Sequence, residues 1–305
     1  MIRIGITAAV RFEGKRGCHH GNAFSSMFNG WDKAKAEELD WPTGGASDIR
    51  IEGARVVKIY DDDREGAEMM AQIYGIDEVC DSPEELAEGV DAGLIADSGE
   101  FDKIRYAPPF LEKGLPLFVD KPLAEFADDA QGIVDLAAAN DAPLISCSGY
   151  RWAEGADEMR AQLGELGTIE LLQGLCGQGR YHVYAIHPVE FAYGILGPGT
   201  ESVINVGAED RDIIRLRRAD GKQVLLTMFW REVIQGKMLF TLCGSEGWYS
   251  MDQMGPVYPR MMGEFVKMCE TREMPISGEE MVEVIRVVEA ARTSRELGGI
   301  EVSLT

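Results

Sequence analysis

The chain has 305 residues, and its 52 acidic against 30 basic side chains give a formal net charge of -22. That excess repels phosphate backbones and anionic lipid, which excludes nucleic acid and membrane surfaces as expected partners. With 45% hydrophobic and 27% charged residues, the chain reads as globular and too long for one core, so two domains are expected.

From the start to Pro122, short β-branched runs alternate with helix-like stretches. Ile2 to Thr7, Arg55 to Tyr60, Ala92 to Ala96 and Leu117 to Val119 are the predicted strands of a parallel βαβ pattern. Asp63 to Tyr74 reads as a helix. Ser82-Pro83-Glu84-Glu85-Leu86 opens another, with Ser82 as N-cap, Pro83 in the first position and Glu85 placed for a capping box. A helix from Phe126 to Ala139 and a strand over Pro143 to Cys147 complete an open sheet. Beyond Tyr150 the texture changes. Thr168 to Leu175, Ser202 to Ala208, Asp212 to Arg218, Gln223 to Trp230 and Met238 to Cys243 are predicted strands with few helices between them, and Ala219-Asp220-Gly221-Lys222 is a turn joining two of them. The last helix, Glu279 to Leu297, ends at Gly298-Gly299. The expected fold is therefore an α/β Rossmann-type parallel sheet domain, residues 1–122, followed by an α+β domain with a large, mostly antiparallel open-faced sheet, residues 123–305.

No apolar stretch approaches the roughly 20 residues that span a bilayer. Met1 to Val10 runs into charge without a cleavage pattern, so a cytoplasmic location is expected. The six cysteines are scattered without a Cys-x-x-Cys pair, which suits reduced thiols packed as small hydrophobes. Cys18-His19-His20 points its side chains in different directions and lacks a partner cluster, so no metal is expected. His20 is placed at a helix start, near a cofactor or exposed.

Open α/β sheets bind ligands at the carboxyl ends of their strands. Candidate cofactor contacts are accordingly Thr7, Ala8 and Ala9 after the first strand, Asp61 and Asp62 after the second, Asp97 and Ser98 after the third, and Asp120, Lys121 and Pro122 after the fourth. Asp61 stands where a carboxylate accepts from a ribose diol, and Asp62 and Asp63 add charge that repels a 2′-phosphate, favouring NAD over NADP. A turn capping the following helix is the equal alternative for this acidic run. The G-x-G-x-x-G fingerprint is absent: Ala8 is small enough for a close approach, while Val10 and Glu13 are poor neighbours for a pyrophosphate. Gly14, Lys15, Arg16 and Gly17 offer amides and two cations in its place.

Lys121 is the leading catalytic candidate, because an apolar run delivers a lone ammonium and a rigid proline to a ligand-binding edge. Such a lysine hydrogen-bonds a substrate hydroxyl, and desolvation lowers its pKa toward the range useful for proton transfer. In the second half, Tyr181-His182-Val183-Tyr184-Ala185-Ile186-His187 gathers half of the four histidines. If helical, Tyr184, His187 and Glu190 share a face. His187 then serves as base, with Tyr184 as a further catalytic candidate and His182, Arg151 and Glu190 as substrate contacts. A packed helix of hydrogen-bonded aromatic residues is the other reading. Trp230, Trp248 and Tyr249 offer faces for stacking on a sugar ring or for packing.

Phe118-Val119-Asp120-Lys121-Pro122, Tyr150-Arg151-Trp152, Leu166-Gly167-Thr168-Ile169 and His187-Pro188-Val189-Glu190, in this order, resemble the glucose-fructose oxidoreductase/inositol dehydrogenase family, often called Gfo/Idh/MocA. The likeness extends through Tyr74-Gly75-Ile76, Leu111-Glu112-Lys113-Gly114 and Ile276-Ser277-Gly278-Glu279-Glu280. It implies an NAD(P)-dependent oxidoreductase acting on a secondary alcohol of a sugar, cyclitol or related polyol, and a homodimer or homotetramer assembled through the open sheet face. Lys121 matches the lysine of the family's E-K-P motif, with Asp120 in place of Glu. His187 matches the histidine of D-x-x-x-H-x-x-D, with Glu190 replacing the last Asp and Val183 the first. Arg151 matches a cleft arginine, Trp152 takes the place of an aromatic, and Asp102 and Lys103 stand where a histidine is usual. The altered motifs leave two other readings: a redox-neutral lyase or hydrolase with retained NAD, or a non-catalytic metabolite-binding protein of the same fold.

Overall fold

The computed structural model describes residues 1–96, 103–177, 184–230 and 237–304. Asp97, Ser98, Asp102, His182 and Val183, all singled out in the sequence, lie outside the described residues. Strands run in chain order as β1 (Ile2–Thr7), β2 (Arg11–Phe12), β3 (Lys15–Arg16), β4 (Ala54–Tyr60), β5 (Glu78–Val79), β6 (Ala92–Ile95), β7 (Leu117–Val119) and β8 (Leu144–Ile145). They continue as β9 (Ile169–Gly177), β10 (Thr200–Asn205), β11 (Arg211–Arg218), β12 (Gln223–Phe229), β13 (Lys237–Gly244), β14 (Gly247–Met251) and β15 (Val302–Ser303). The helices are α1 (His19–Asn29), α2 (Lys33–Glu38), α3 (Arg64–Tyr74), α4 (Pro83–Leu86), α5 (Lys103–Tyr106), α6 (Pro108–Leu111), α7 (Ala127–Ala139), α8 (Glu154–Ala161), α9 (Ile186–Leu196), α10 (Tyr258–Thr271) and α11 (Gly278–Glu296). A 3-10 turn covers Gly149–Trp152.

Two compact units result. The first comprises Met1–Ala124, Asp128–Cys147 and Tyr258–Gly278. Its sheet has the order β5-β4-β1-β6-β7-β8, and every pairing is parallel. Numbered along the sheet this is 3-2-1-4-5-6, the dinucleotide-binding order, which reverses direction between β1 and β6. The strands are nearly continuous hydrophobic runs because both faces are covered, with Ile4, Ile6, Ile59, Leu94 and Phe118 fully buried. α10 belongs to this unit: Phe265 meets the Phe118 ring, and Phe118 meets Phe24 of α1. Asp63, not Asp61, caps α3, accepting from Gly66 N at 3.1 Å. Ser82 caps α4 as its sequence predicts, while Glu85 returns a bond to Asp81 N.

The second unit comprises Glu125–Ala127, Ser148–Val257 and Glu279–Thr305. Its sheet order is β14-β13-β9-β12-β11-β10-β15, antiparallel except for β9 beside β12. Alternation is clean in β11, where Asp212, Ile214, Leu216 and Arg218 are buried while Ile213, Arg215 and Arg217 face out. The buried face packs on α9, with Phe191 stacked on Phe240 at 3.9 Å between ring centroids. β10 begins and ends earlier than the sequence suggests, because Asn205 turns the chain by accepting from Gly207 N. Among the described residues no helix is long and apolar enough to cross a membrane. All six cysteines are free, and four are buried.

Candidate cofactor and substrate residues

The loop after β1 shows how the chain manages without its glycines. Ala8 takes the left-handed backbone, φ 51°, that a fingerprint glycine ordinarily supplies. Ala9 N and Val10 N then donate to one oxygen of Asp61, both at 3.1 Å, and Asp63 N donates to the other at 3.1 Å. Asp61 is thus the clasp of the loop. A carboxylate has about four acceptor positions, so three amides leave room for one hydroxyl. Burial raises the Asp61 pKa to about 6, against the pull of the backbone amides.

Val10 and Glu13 do not crowd this turn. Val10 is buried, its methyl lying where a Cβ on Gly66 of α3 would fall, and Glu13 sits in the exposed turn of the β2–β3 hairpin. Arg16, expected at a phosphate, instead holds Asp63 through Nε and Nη2 at 2.6 and 2.7 Å and reaches Glu65 at 2.7 Å. Arg11 adds a third bond to Asp63, whose pKa falls below the usual carboxylate range, chiefly through Arg16. Asp62 is engaged by Arg105 and by the hydroxyls of Tyr60 and Tyr106. A side chain on Gly21, in the first turn of α1, would put its Cβ 1.9 Å from the Ala9 carbonyl oxygen. Gly21 therefore does the close-packing work of the fingerprint's last glycine.

Asp120, Lys121 and Pro122 end β7 in the interior, Lys121 being 3% exposed. Asp120 Oδ2 lies 2.5 Å from His20 Nδ1, and His20 Nε2 lies 2.9 Å from the Tyr258 hydroxyl. His20 is thus buried, with a hydrogen-bond partner at each ring nitrogen. Facing a carboxylate, Nδ1 is the donor, and Nε2 lies against the Tyr258 hydroxyl. His19 is held below its ordinary pKa by partial burial, then by the charges of His20 and Lys121. A dinucleotide fits this edge. Thr7 Oγ1 and Asp120 Oδ1, at the carboxyl ends of β1 and β7, are buried without a hydrogen-bond partner among the described residues. Such atoms mark where a ligand's donors belong.

In the second unit, His187 lies on α9 with Nδ1 at 2.6 Å from Ser148 Oγ. Tyr150 meets its ring edge-on at 5.1 Å, and Tyr184 lies at 5.8 Å. Arg151 and Glu190, expected at the substrate, hold each other: Nε donates to Glu190 at 2.6 Å and Nη1 to Glu280 at 2.6 Å, all three side chains being buried or nearly so. Burial pushes the Glu190 pKa up, against Arg151. Trp230 donates to Asp212 and Tyr249 to Glu158, while Trp248 is 70% exposed. Tyr258, Ser148 and Glu280 are the interacting residues that the sequence did not assign. Only the scarcity of histidine hinted that each ring would be tied to something.

These elements define a Rossmann unit followed by a broad mixed sheet. Residues 14–146 match the model of the Gfo/Idh/MocA oxidoreductase family with an NAD-binding Rossmann fold. Solved structures share the fold over the whole chain. A probable dehydrogenase of Thermotoga maritima superposes with a TM-score of 0.80 at 18% identity, covering 99% of each chain. The myo-inositol dehydrogenase of Lactobacillus casei, in complex with NAD(H) and myo-inositol, gives 0.80 at 15% identity, covering 100% of this chain and 97% of its own. That of Corynebacterium glutamicum gives 0.76 at 16%, covering 100% and 99%. No curated protein sequence matches the chain.

Proposed function

We propose that the chain moves a hydride between NAD and a secondary alcohol of a sugar, cyclitol or related polyol. The observation that carries this reading is Lys121, placed by an interior strand at the carboxyl edge of a 3-2-1-4-5-6 sheet. The L. casei relative, solved with NAD(H) and myo-inositol, supports the substrate class. The Asp61-Asp62-Asp63 cluster supports NAD over NADP, since its neighbouring Arg11 and Arg16 are engaged with Asp63.

When bound, the nicotinamide supplies the hydride acceptor. Lys121 orients the alcohol oxygen and stabilises its developing charge. In the second unit His187 is the candidate base, with Nδ1 2.6 Å from Ser148 Oγ and Tyr184 against its ring. Ser148 holds the imidazole in orientation through Nδ1. Arg151 and Glu190 brace this helix. The outward residues of the second unit, including Ile213, Leu239 and Trp248, supply the apolar face of a homo-oligomer contact.

Calorimetry with NAD and NADP separately, followed by a polyol screen for NADH absorbance, tests the reading. Lys121→Met is expected to abolish turnover with NAD affinity retained, and full turnover in that variant would refute the mechanism.

A further inference from the structure

His20 and Tyr258 are not needed for the steps above, yet with Asp120 they form a polar chain inside the first unit. Three segments far apart in sequence meet in it: the first turn of α1, the end of β7 and the first residue of α10. Asp120 is fully buried, and its two oxygens are treated differently. Oδ2 is fixed by His20 at 2.5 Å, whereas Oδ1 has no hydrogen-bond partner among the described residues. A buried carboxyl oxygen left unpaired carries its full desolvation penalty. His20 is itself locked from behind by Tyr258 at 2.9 Å, and its ring is wedged between Phe24 at 5.5 Å and Tyr258 at 5.2 Å. Asp120 therefore cannot turn Oδ1 toward His20 without breaking a held geometry. The arrangement is an acceptor aimed by two other residues and waiting for a donor.

We infer that Asp120 Oδ1 accepts the carboxamide N–H of the nicotinamide, and that His20 and Tyr258 are positioning residues that hold it for that contact. The inference rests on the dinucleotide reading above. Among the parts of NAD, the carboxamide is the neutral group with a two-hydrogen donor next to the ring, and β7 is the strand that also carries Lys121. The other charged and titratable groups around His20 are His19, 5.9 Å away between ring centroids, and Lys121, whose charge reaches His19. Neither bonds His20 in place of Asp120.

Calorimetry on the intact protein with three nucleotides tests this: NAD, its 3-acetylpyridine analogue, which replaces the carboxamide NH2 by a methyl group, and ADP-ribose, which lacks the ring. Wild type is expected to bind NAD about tenfold or more tightly than the analogue, because a buried acceptor facing a methyl stays unpaired. Asp120→Asn offers an NH2 where Oδ1 stood, so the discrimination is expected to vanish, with ADP-ribose affinity unchanged to within about twofold. Tyr258→Phe keeps the ring packing, and it is expected to reduce the discrimination in part while also sparing ADP-ribose. Discrimination that survives in Asp120→Asn, or ADP-ribose affinity that falls in step with NAD, would overturn the assignment. Wild type binding neither NAD nor ADP-ribose would overturn the dinucleotide reading itself, an outcome distinct from binding both nucleotides without discriminating the analogue.

Discussion

Replacing Arg151 by Met separates a bracing role from a substrate role. In the folded chain its guanidinium is 7% exposed and bonded at 2.6 Å to each of two carboxylates, Glu190 and Glu280, themselves 2% and 14% exposed. Methionine fills much of the same volume but leaves two acids facing one another in the interior. Removing one partner of a buried ion pair costs about 3–5 kcal/mol, against about 5–15 kcal/mol for the stability of a whole domain. The loss must depend on pH. Glu190 is already held above its ordinary pKa by burial, with Arg151 opposing the shift. Without Arg151 its folded pKa rises further above the unfolded value, so the folded state binds the proton more tightly and stability falls as pH rises through that pKa. Urea unfolding of Arg151→Met, followed by tryptophan fluorescence, is therefore expected to show a large deficit at pH 8 that narrows at pH 5. A deficit below about 1 kcal/mol, the range of exposed pairs, or one equal at both pH values would refute this account and return Arg151 to the substrate.

Asp61, with its pKa at about 6, is expected to bind a ribose hydroxyl only when ionised, so NAD affinity should fall as pH drops from 7.5 to 5, and Asp61→Asn should flatten that dependence in calorimetry. Its own contribution to stability has the opposite trend, since a carboxyl raised from 3.8 to about 6 on folding destabilises the fold as pH rises through that window. Gly21→Ala would drive a methyl into the Ala9 carbonyl and should lower stability by at least about 1–3 kcal/mol, visible as a depressed Tm. Lys15→Ala combined with Arg16→Ala should leave NAD affinity unchanged, because Arg16 serves Asp63 and Glu65; a clear drop would restore the phosphate role.

The strand order of the first unit was legible because buried parallel strands are written as short apolar runs, and Ile2–Thr7 and Leu117–Val119 match their sequence ranges to the residue. α10 was not: nothing local says that Tyr258–Thr271 returns to the first unit. The same limit applied to the site. Lys121, Asp120, Asp61 and His187 announce themselves by chemistry at strand ends and helix spacing. Their partners do not, since Tyr258 is 238 positions from His20 and Glu280 is 129 from Arg151. Long-range ties of this kind are set by the fold and leave no periodicity behind. The ion pairs of Arg151 with Glu190 and Glu280 were hidden for a related reason. A buried guanidinium demands carboxylates, and burial is not visible in a tripeptide.

The β2–β3 hairpin leaves the cofactor loop and returns to it at a single atom: Gly17 N and Cys18 N both donate to the Val10 carbonyl, at 2.9 and 3.2 Å. The excursion is tied off at its neck, so its length is free to vary while the turn at Ala8 and the packing at Gly21 stay where they are. A search that counts letters between glycines goes blind at such a detour. One that looks for a pinched loop followed by a helix turn with no room for a side chain would find this chain, and others in which an insertion has pushed the familiar spacing apart.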